Sequence, residues 1–347
     1  MELGDKLALA IEAATFERVA GVGFENARAH TRDGHIKHSV LELEGAQLGS
    51  GDAAIVVGAG PSLRRRKSLE RLRASRFDGT IVAADGALGA CLRAGVIPHV
   101  VVSVDPHLQR IVRWFGDPTL EKPRDDDYFR RQEMDTVHHD DELGSNREIE
   151  ANRTLVELVN LHGPKIKIAA ATSAALDVVE RCNDVGMAIY WWNPMFDDYE
   201  QPHSLSRQAW EMNGLPCVNG GGNVGTAAWA LSHAVLGKRR IGLIGIDLGY
   251  APGTPYEKTQ YYPELRDMLG DRYREAFIHT RNPETGETWF SDPSYHWFRK
   301  VFLEMLGDAD CHTVNCTEGG LLFGTGITTA TLDTFLETVA RGTNDHG

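Results

Sequence analysis

From residue 53 onward, short apolar runs alternate with amphipathic stretches. The first run, 53-AAIVVG-58, contains no polar position. A continuous apolar run of this length is what a strand covered on both faces needs. The segment 62–77 places Leu63, Leu69 and Leu72 on one face and arginines on the other, which predicts a helix with Ser62 as its N-cap. The alternation repeats with a strand at 80–84, a helix at 86–95 stopped by Gly95, and a strand at 99–104 entered through Pro98. Helices are expected at 107–115, 150–163 and 173–186, with strands at 166–171 and 187–192. After an irregular aromatic stretch at 193–218, a glycine loop at 220–225 opens a helix and then a strand that ends on Asp247. Residues 251–290, rich in Pro, Gly, Tyr and Thr, read as a long loop or lid. A helix at 294–306, a strand at 311–315 and a helix at 328–341 complete the pattern. Such alternation predicts an α/β fold: a doubly wound, mostly parallel Rossmann-like sheet with helices on both faces. Residues 1–50 read as a helical or mixed extension, 51–325 as the Rossmann-like domain and 326–347 as a C-terminal helix and tail.

Composition changes this picture little. A chain of 347 residues, 42% hydrophobic, sustains its core without metals or disulfides. The net charge of −13 argues against a nonspecific hold on nucleic acid or anionic membrane, so no nucleic-acid partner is expected. Many of the acids fall in 123–144, which reads as a solvated loop. None of the five cysteines forms CxxC, which suggests reduced thiols and a cytoplasmic protein; Cys311 and Cys316 read as core residues rather than zinc ligands. No signal-peptide pattern opens the sequence, and no apolar run is long enough for a transmembrane segment.

The candidate chemistry gathers at strand ends, where ligands bind in open α/β sheets. In 58-GAGPSL-63 the third glycine of a dinucleotide fingerprint is Leu63, which argues against NAD, and no Walker A loop is present. What remains is a tight turn whose Gly58, Gly60 and Ser62 suit a phosphate or sugar-phosphate, or a turn needed only for strand-to-helix packing. Asp85, Asp105 and Asp247 end strands; Asp85 and Asp105 have capping of the next helix as their plainer reading. The loop 220-GGGNVG-225 opens a helix, and Asn223 offers a side chain for a base or ribose. Glu318 in 317-TEGG-320 binds acceptor or ribose, or caps a turn. Trp191, Trp192, Phe196 and Tyr199 line a sugar pocket or pack a core, and His99 and His107 read as structural or rim residues.

The ordered set GAGPSL, AADGALGACLRAGVIPHVVVSVDP, GNVGTAAWALSHAVLGKRRIGLIGIDLGY and NCTEGG resembles the family of motility-accessory-factor (Maf) flagellin glycosyltransferases and archaeal MptE-like 6-hydroxymethylpterin diphosphokinases. The resemblance covers roughly residues 50–325. The same order is similar to bacterial sialyltransferases that use CMP-sialic acid. The resemblance implies that Gly58, Gly60 and Ser62 hold nucleotide phosphate and ribose, and that Asn223 and Gly225 approach the cytidine monophosphate. It implies that Tyr250 and Tyr256 hydrogen-bond the departing phosphate and that His296 is the general base. Ala59 departs from the asparagine of that pattern.

The expected function is therefore that of a Maf-type glycosyltransferase. It would carry a nonulosonic-acid-like sugar from a CMP donor to a protein or glycan acceptor, with no metal, because tyrosine hydroxyls and helix N-termini stabilise the leaving phosphate. The alternative is an MptE-like diphosphokinase that needs ATP and Mg²⁺. Related pterin and thiamin kinases end the third strand in an acid pair, whereas 103-SVDPH-107 has one acid followed by proline. A third reading is a noncatalytic nucleotide-binding module of surface-glycan assembly.

Overall fold

The computed structural model describes Leu7 and residues 20–107, 111–122 and 144–344. Among the described residues, nine strands form one sheet: β1 (Ala53–Val57), β2 (Thr80–Ala84), β3 (Val100–Ser103), β4 (Lys167–Ala171), β5 (Ala188–Pro194), β6 (Cys217–Val218), β7 (Arg240–Ile244), β10 (His312–Asn315) and β11 (Thr328–Thr329). Their order is β11-β10-β7-β1-β2-β3-β4-β5-β6, and all the pairings are parallel. A separate antiparallel hairpin is made by β8 (Ile278–Arg281) and β9 (Thr288–Ser291). The expected doubly wound α/β architecture is thus the observed one.

The apolar strands are buried on both faces because successive side chains point to opposite sides. Val56, Val82, Val102 and Leu243 pack against the Val224–Ala234 helix on one face. Ile55, Val57, Ala83 and Ile244 pack on the other with Leu69 and Leu72 of the Ser68–Ser75 helix and Phe335 of the Leu332–Asn344 helix. The chain runs outward in one direction from β1 to β6, then returns to place β7 on the opposite side of β1. That reversal makes the carboxyl ends of β1 and β7 the topological switch point of the sheet.

Several local expectations need correction. The helix expected at 62–77 is two pieces, Ser62–Arg65 and Ser68–Ser75, because Lys67 takes a left-handed conformation at φ 50°. The break lets Leu69 and Leu72 reach beneath the Leu332–Asn344 helix. Ser62 is not an N-cap; Pro61 holds that position, and the Ser62 hydroxyl points elsewhere. Residues 251–290 are not a long loop. They contain the Tyr262–Leu269 helix, short 3-10 turns and most of the β8–β9 hairpin. Leu265, Tyr273, Phe277 and Phe290 bury one another there, with Tyr250 and Tyr256 alongside. The stretch 193–218 includes the Leu205–Asn213 helix, capped by Ser204 and ended by Gly214 at φ 71°. The acidic residues 123–143 and residues 108–110 of the expected 107–115 helix lie outside the described residues; Ile111–Phe115 is a 3-10 helix.

Trp191 and Trp192 are fully buried, and Phe196 packs edge-on against Phe24 of the helix at 20–32. They form core rather than a sugar pocket. Tyr199 instead lies under the Arg207 guanidinium, 5.1 Å from ring centroid to Cζ. His99 is structural, its Nδ1 accepting from the Ile81 N–H at 3.0 Å.

Candidate functional site at the sheet switch point

The apolar β1 strand ends at Gly58, where the chain turns sharply through Ala59, Gly60 and Pro61 into Ser62. β7 ends beside it and turns through Gly245 to Asp247. The two turns lie against each other: the Gly60 N–H donates to the Gly245 carbonyl at 2.8 Å. Asp247 fills the mouth of the first turn. Its Oδ2 accepts from the Ser62 hydroxyl at 2.7 Å and from the Ser62 N–H at 3.4 Å. A Cβ on Gly60 would fall onto that carboxylate oxygen and lie 2.7 Å from the Gly245 carbonyl oxygen. The glycine is therefore required by the approach of Asp247, whatever else binds there.

The second glycine loop reaches the same edge. Asn223 caps the Val224–Ala234 helix: its Oδ1 accepts from the Thr226 N–H at 2.9 Å, and its Nδ2 donates to the Thr226 hydroxyl at 2.8 Å. Gly225 sits against Ile246, just past β7. The N-terminus of this eleven-residue helix thus stands beside the β7 turn, with the positive end of its dipole at the sheet edge. The 317–320 turn closes over the other side. The Leu321 N–H donates to the Asp247 carbonyl at 2.8 Å, and the Ile246 N–H to Thr317 Oγ1 at 3.4 Å.

Asp85 lies at the end of β2, the strand beside β1. It is 5% exposed, and burial pushes its carboxyl up to about 7 against the hydrogen bonds that stabilise its charge. Those bonds come from the Ser103 hydroxyl and the Gly86 N–H, both at 2.7 Å. The Asp105 charge on the neighbouring strand end raises it further. A carboxyl that titrates near neutrality at a strand end is suited to proton transfer. Asp105 itself accepts from the His107 N–H at 2.9 Å. Among the described residues, no group of three or more His, Cys, Asp or Glu is placed to hold a metal.

The other expected residues have protein partners of their own or line a separate groove. Glu318, at φ 56°, accepts from Arg71 at 2.7 Å and from the Leu332 N–H at 3.1 Å, so it ties the basic helix to the start of the last helix. The Tyr250 hydroxyl donates to Asp292 at 2.7 Å and accepts from the Gln260 N–H at 2.9 Å. Tyr256 stacks on Phe277 and hydrogen-bonds His279 at 3.0 Å. His296, on the first turn of the Pro293–Gly307 helix, lines an open groove with Arg299, Lys300, Leu303, Glu304 and Thr325. None of the glycine-turn residues lines that groove.

Sequence reasoning missed Ser103, the hydroxyl partner of Asp85, and Asp292. Asp292 is fully buried, caps the Pro293–Gly307 helix through the Tyr295 N–H at 2.9 Å, and is pushed up to about 6 by burial. Asp followed by Pro at the head of a helix is a legible cap signal; the Tyr250 partner is not legible, because it lies 42 residues upstream.

Residues 29–113 match the family described as 6-hydroxymethylpterin diphosphokinase MptE-like. Over 77 residues, or 22% of this chain, it is 38% identical to the 6-hydroxymethyl-7,8-dihydropterin pyrophosphokinase of Methanothermobacter thermautotrophicus. Over 53 residues, or 15% of the chain, it is 43% identical to an uncharacterized protein of Treponema pallidum. These matches cover 32% and 24% of those two relatives. The fold is similar to that of the Maf glycosyltransferase from Magnetospirillum magneticum AMB-1, with a TM-score of 0.55 and 15% identity, over 92% of this chain and 41% of that one. In the described residues no helix is long and apolar enough to cross a membrane.

Proposed function

We propose that this Maf/MptE-like chain is a transferase that binds a nucleotide-activated sugar at the β1/β7 switch point. The finer reading is transfer of a nonulosonic-acid-like sugar from a CMP donor to a protein or glycan acceptor. One observation carries the nucleotide site. The turn at Gly58–Ser62, the carboxylate of Asp247 and the N-terminus of the Val224–Ala234 helix come together at the carboxyl edge of the sheet. The fold likeness to a Maf glycosyltransferase supports the sugar.

In this reading Asp247 accepts a hydroxyl of the nucleotide, and the Val224–Ala234 helix dipole faces its negative charge. His296 is the proposed base that takes the acceptor proton, on the open groove it lines with Arg299 and Lys300. Tyr256, partly exposed, remains a candidate for the departing phosphate. Tyr250 reaches that role only by giving up Asp292, which takes its one O–H.

A second reading is favoured by the match over residues 29–113 and by the pterin pyrophosphokinase relative: ATP-dependent transfer of diphosphate to a pterin hydroxyl. Its magnesium would fall to Asp85, Asp105 and Asp247. As placed, two of these carboxylates are held by serine hydroxyls and no cluster of three forms, so the residues do not fit a ready magnesium site.

The test is a thermal-shift panel of CMP, CTP, UDP, ADP, ATP and NAD, each with Mg²⁺ and with EDTA. Ligand at about a hundred times its Kd stabilises by roughly 2.7 kcal/mol. Stabilisation by CMP that survives EDTA is the expected result. Stabilisation by ATP only with Mg²⁺ selects the diphosphokinase, and silence across the panel removes both. A His296→Ala chain with normal donor binding and full transfer would remove His296 as the base.

A further inference from the structure

The Pro293–Gly307 helix carries His296, Arg299 and Lys300 at spacings of three and four, which puts them on one stripe of the helix. All three line the same open groove, of about 330 Å³, together with Leu303, Glu304 and Thr325. Glu304 stands eight residues from His296, about 12 Å along the helix axis. The end of the groove beside His296 is therefore the cationic end, on a protein whose net charge is −13.

Arg299 is pinned there by neutral groups alone. Its Nε donates to the Leu321 carbonyl, and its Nη2 donates to the Phe323 carbonyl at 2.7 Å. Its guanidinium lies over the Phe323 ring, 4.9 Å from Cζ to the ring centroid. Burial pulls its pKa below the ordinary value, and no carboxylate stands near enough to offset that. Nη1 takes no protein acceptor among the described residues and is not sealed from solvent. Nη2 keeps a second hydrogen beyond the one given to Phe323. The guanidinium thus offers Nη1 and Nη2 side by side, the fork that an anionic oxygen pair accepts. Lys300 is exposed and makes no ion pair among the described residues.

The groove is one residue away from the switch point. Arg299 holds the carbonyl of Leu321, and the N–H of the same residue donates to the Asp247 carbonyl at 2.8 Å. In the transfer reading the phosphate of the donor faces the Val224–Ala234 helix. The anion left over on a nonulosonic-acid-like donor is its carboxylate, which sits on the anomeric carbon. That is the carbon the acceptor attacks, so the carboxylate must come close to the base that takes the acceptor proton.

We infer that Arg299 and Lys300 bind the carboxylate of an acidic donor sugar beside His296. This rests on the transfer reading above and deepens it, since the groove then selects the sugar class and the switch point selects the nucleotide. In the step itself the acceptor oxygen bonds to the anomeric carbon as the bond from that carbon to the phosphate oxygen breaks. CMP leaves, and His296 takes the acceptor proton. The carboxylate is unchanged, and Arg299 and Lys300 fix the reacting carbon through it.

The experiment compares the full wild-type chain with Lys300→Gln and Arg299→Gln, at low and high salt. Isothermal titration measures CMP and CMP-N-acetylneuraminate, and saturation-transfer NMR measures free N-acetylneuraminate and its methyl ester, which lacks the charge. The wild type is expected to bind the acid about tenfold more tightly than the ester, the strength of one charge-assisted hydrogen bond. It should bind CMP-N-acetylneuraminate more tightly than CMP, and both margins should shrink as salt rises. Lys300→Gln should lose about threefold of each margin, as an exposed charge does. Arg299→Gln should erase most of what remains, with CMP binding unchanged in both variants. Melting temperatures verify the folds. If Arg299→Gln unfolds, the comparison of acid with ester and the Lys300→Gln chain decide.

Acid and ester that bind alike would overturn the inference, as would a margin that neither variant reduces or a chain that binds no acidic sugar. If CMP binds and the sugar adds nothing, the carboxylate site falls while the nucleotide site stands. If the free acid binds with the expected margin and CMP does not bind, the carboxylate site stands and the nucleotide reading falls.

Discussion

The two glycine loops look alike as sequence, and the structure builds them against different neighbours. The first, at Gly58–Ser62, closes on a carboxylate and a carbonyl from the end of β7. The second, at 220–225, closes on aromatic rings: a Cβ on Gly222, at φ 78°, would overlap the Trp297 ring and lie 2.8 Å from Phe298. In both loops the glycine is demanded by protein atoms. The first loop leaves polar groups concentrated at the switch point, while the second contributes a helix N-terminus at which Asn223 takes the Thr226 N–H. Glycine content alone therefore does not distinguish a ligand cradle from a packing turn.

Substitution breaks this comparison most sharply at Gly60. Because the added Cβ would meet the Asp247 carboxylate and a backbone carbonyl, Gly60→Ala is expected to cost about 3 kcal/mol or more. Urea midpoints measure it; a loss under about 1 kcal/mol would mean that Asp247 moves aside easily. Gly222→Ala is expected to cost about 1–3 kcal/mol, from the strained φ and the crowded rings, without affecting nucleotide affinity beyond the loss of fold.

Asn223→Ala sharpens the contrast further. Loss of the cap should cost about 1 kcal/mol. If donor affinity falls by more than stability explains, Asn223 touches the nucleotide as well as the helix.

The smallest effect is a slope. The Asp85 carboxyl is raised from an ordinary value near 4 to about 7 in the folded chain. Folding thus binds a proton that the unfolded chain releases. Asp85 contributes stability that is fully present below about pH 4 and is lost as pH rises through about 7. Urea midpoints taken across this window should fall with pH, and Asp85→Asn should flatten that fall. Asp292, raised to about 6, adds a parallel term that ends lower, and Asp292→Asn should remove it. An Asp85→Asn profile that superimposes on the wild type would place Asp85 outside this linkage.

Much of the sheet was legible because its signal is local. The runs at 53–58, 81–84 and 100–102 are continuous and apolar, so each declares a strand buried on both faces without reference to its partners. The regions that went unread are those whose stability is shared. The 251–290 segment holds its helix and hairpin through aromatic contacts among Leu265, Tyr273, Phe277 and Phe290, residues spread along the chain with no single period. The same limit applies to the aromatic run at 191–199, where burial of Trp191 depends on docking of the helix at 20–32 and the chain at His38.

The amino-acid sequence by itself determined the strand ends, the two glycine turns, the acids that follow β2 and β7, and the cationic run after Ser62, because each is a matter of residue type and short-range period. It did not determine which of these meet. β7 lies nearly two hundred residues after β1 in the chain, and only the reversal of strand order brings Asp247 onto Ser62 at 2.7 Å. That closure sets a carboxylate in the mouth of the glycine turn, since a hydrogen bond between residues 185 apart is set by topology and by burial, and not by anything either segment prefers alone.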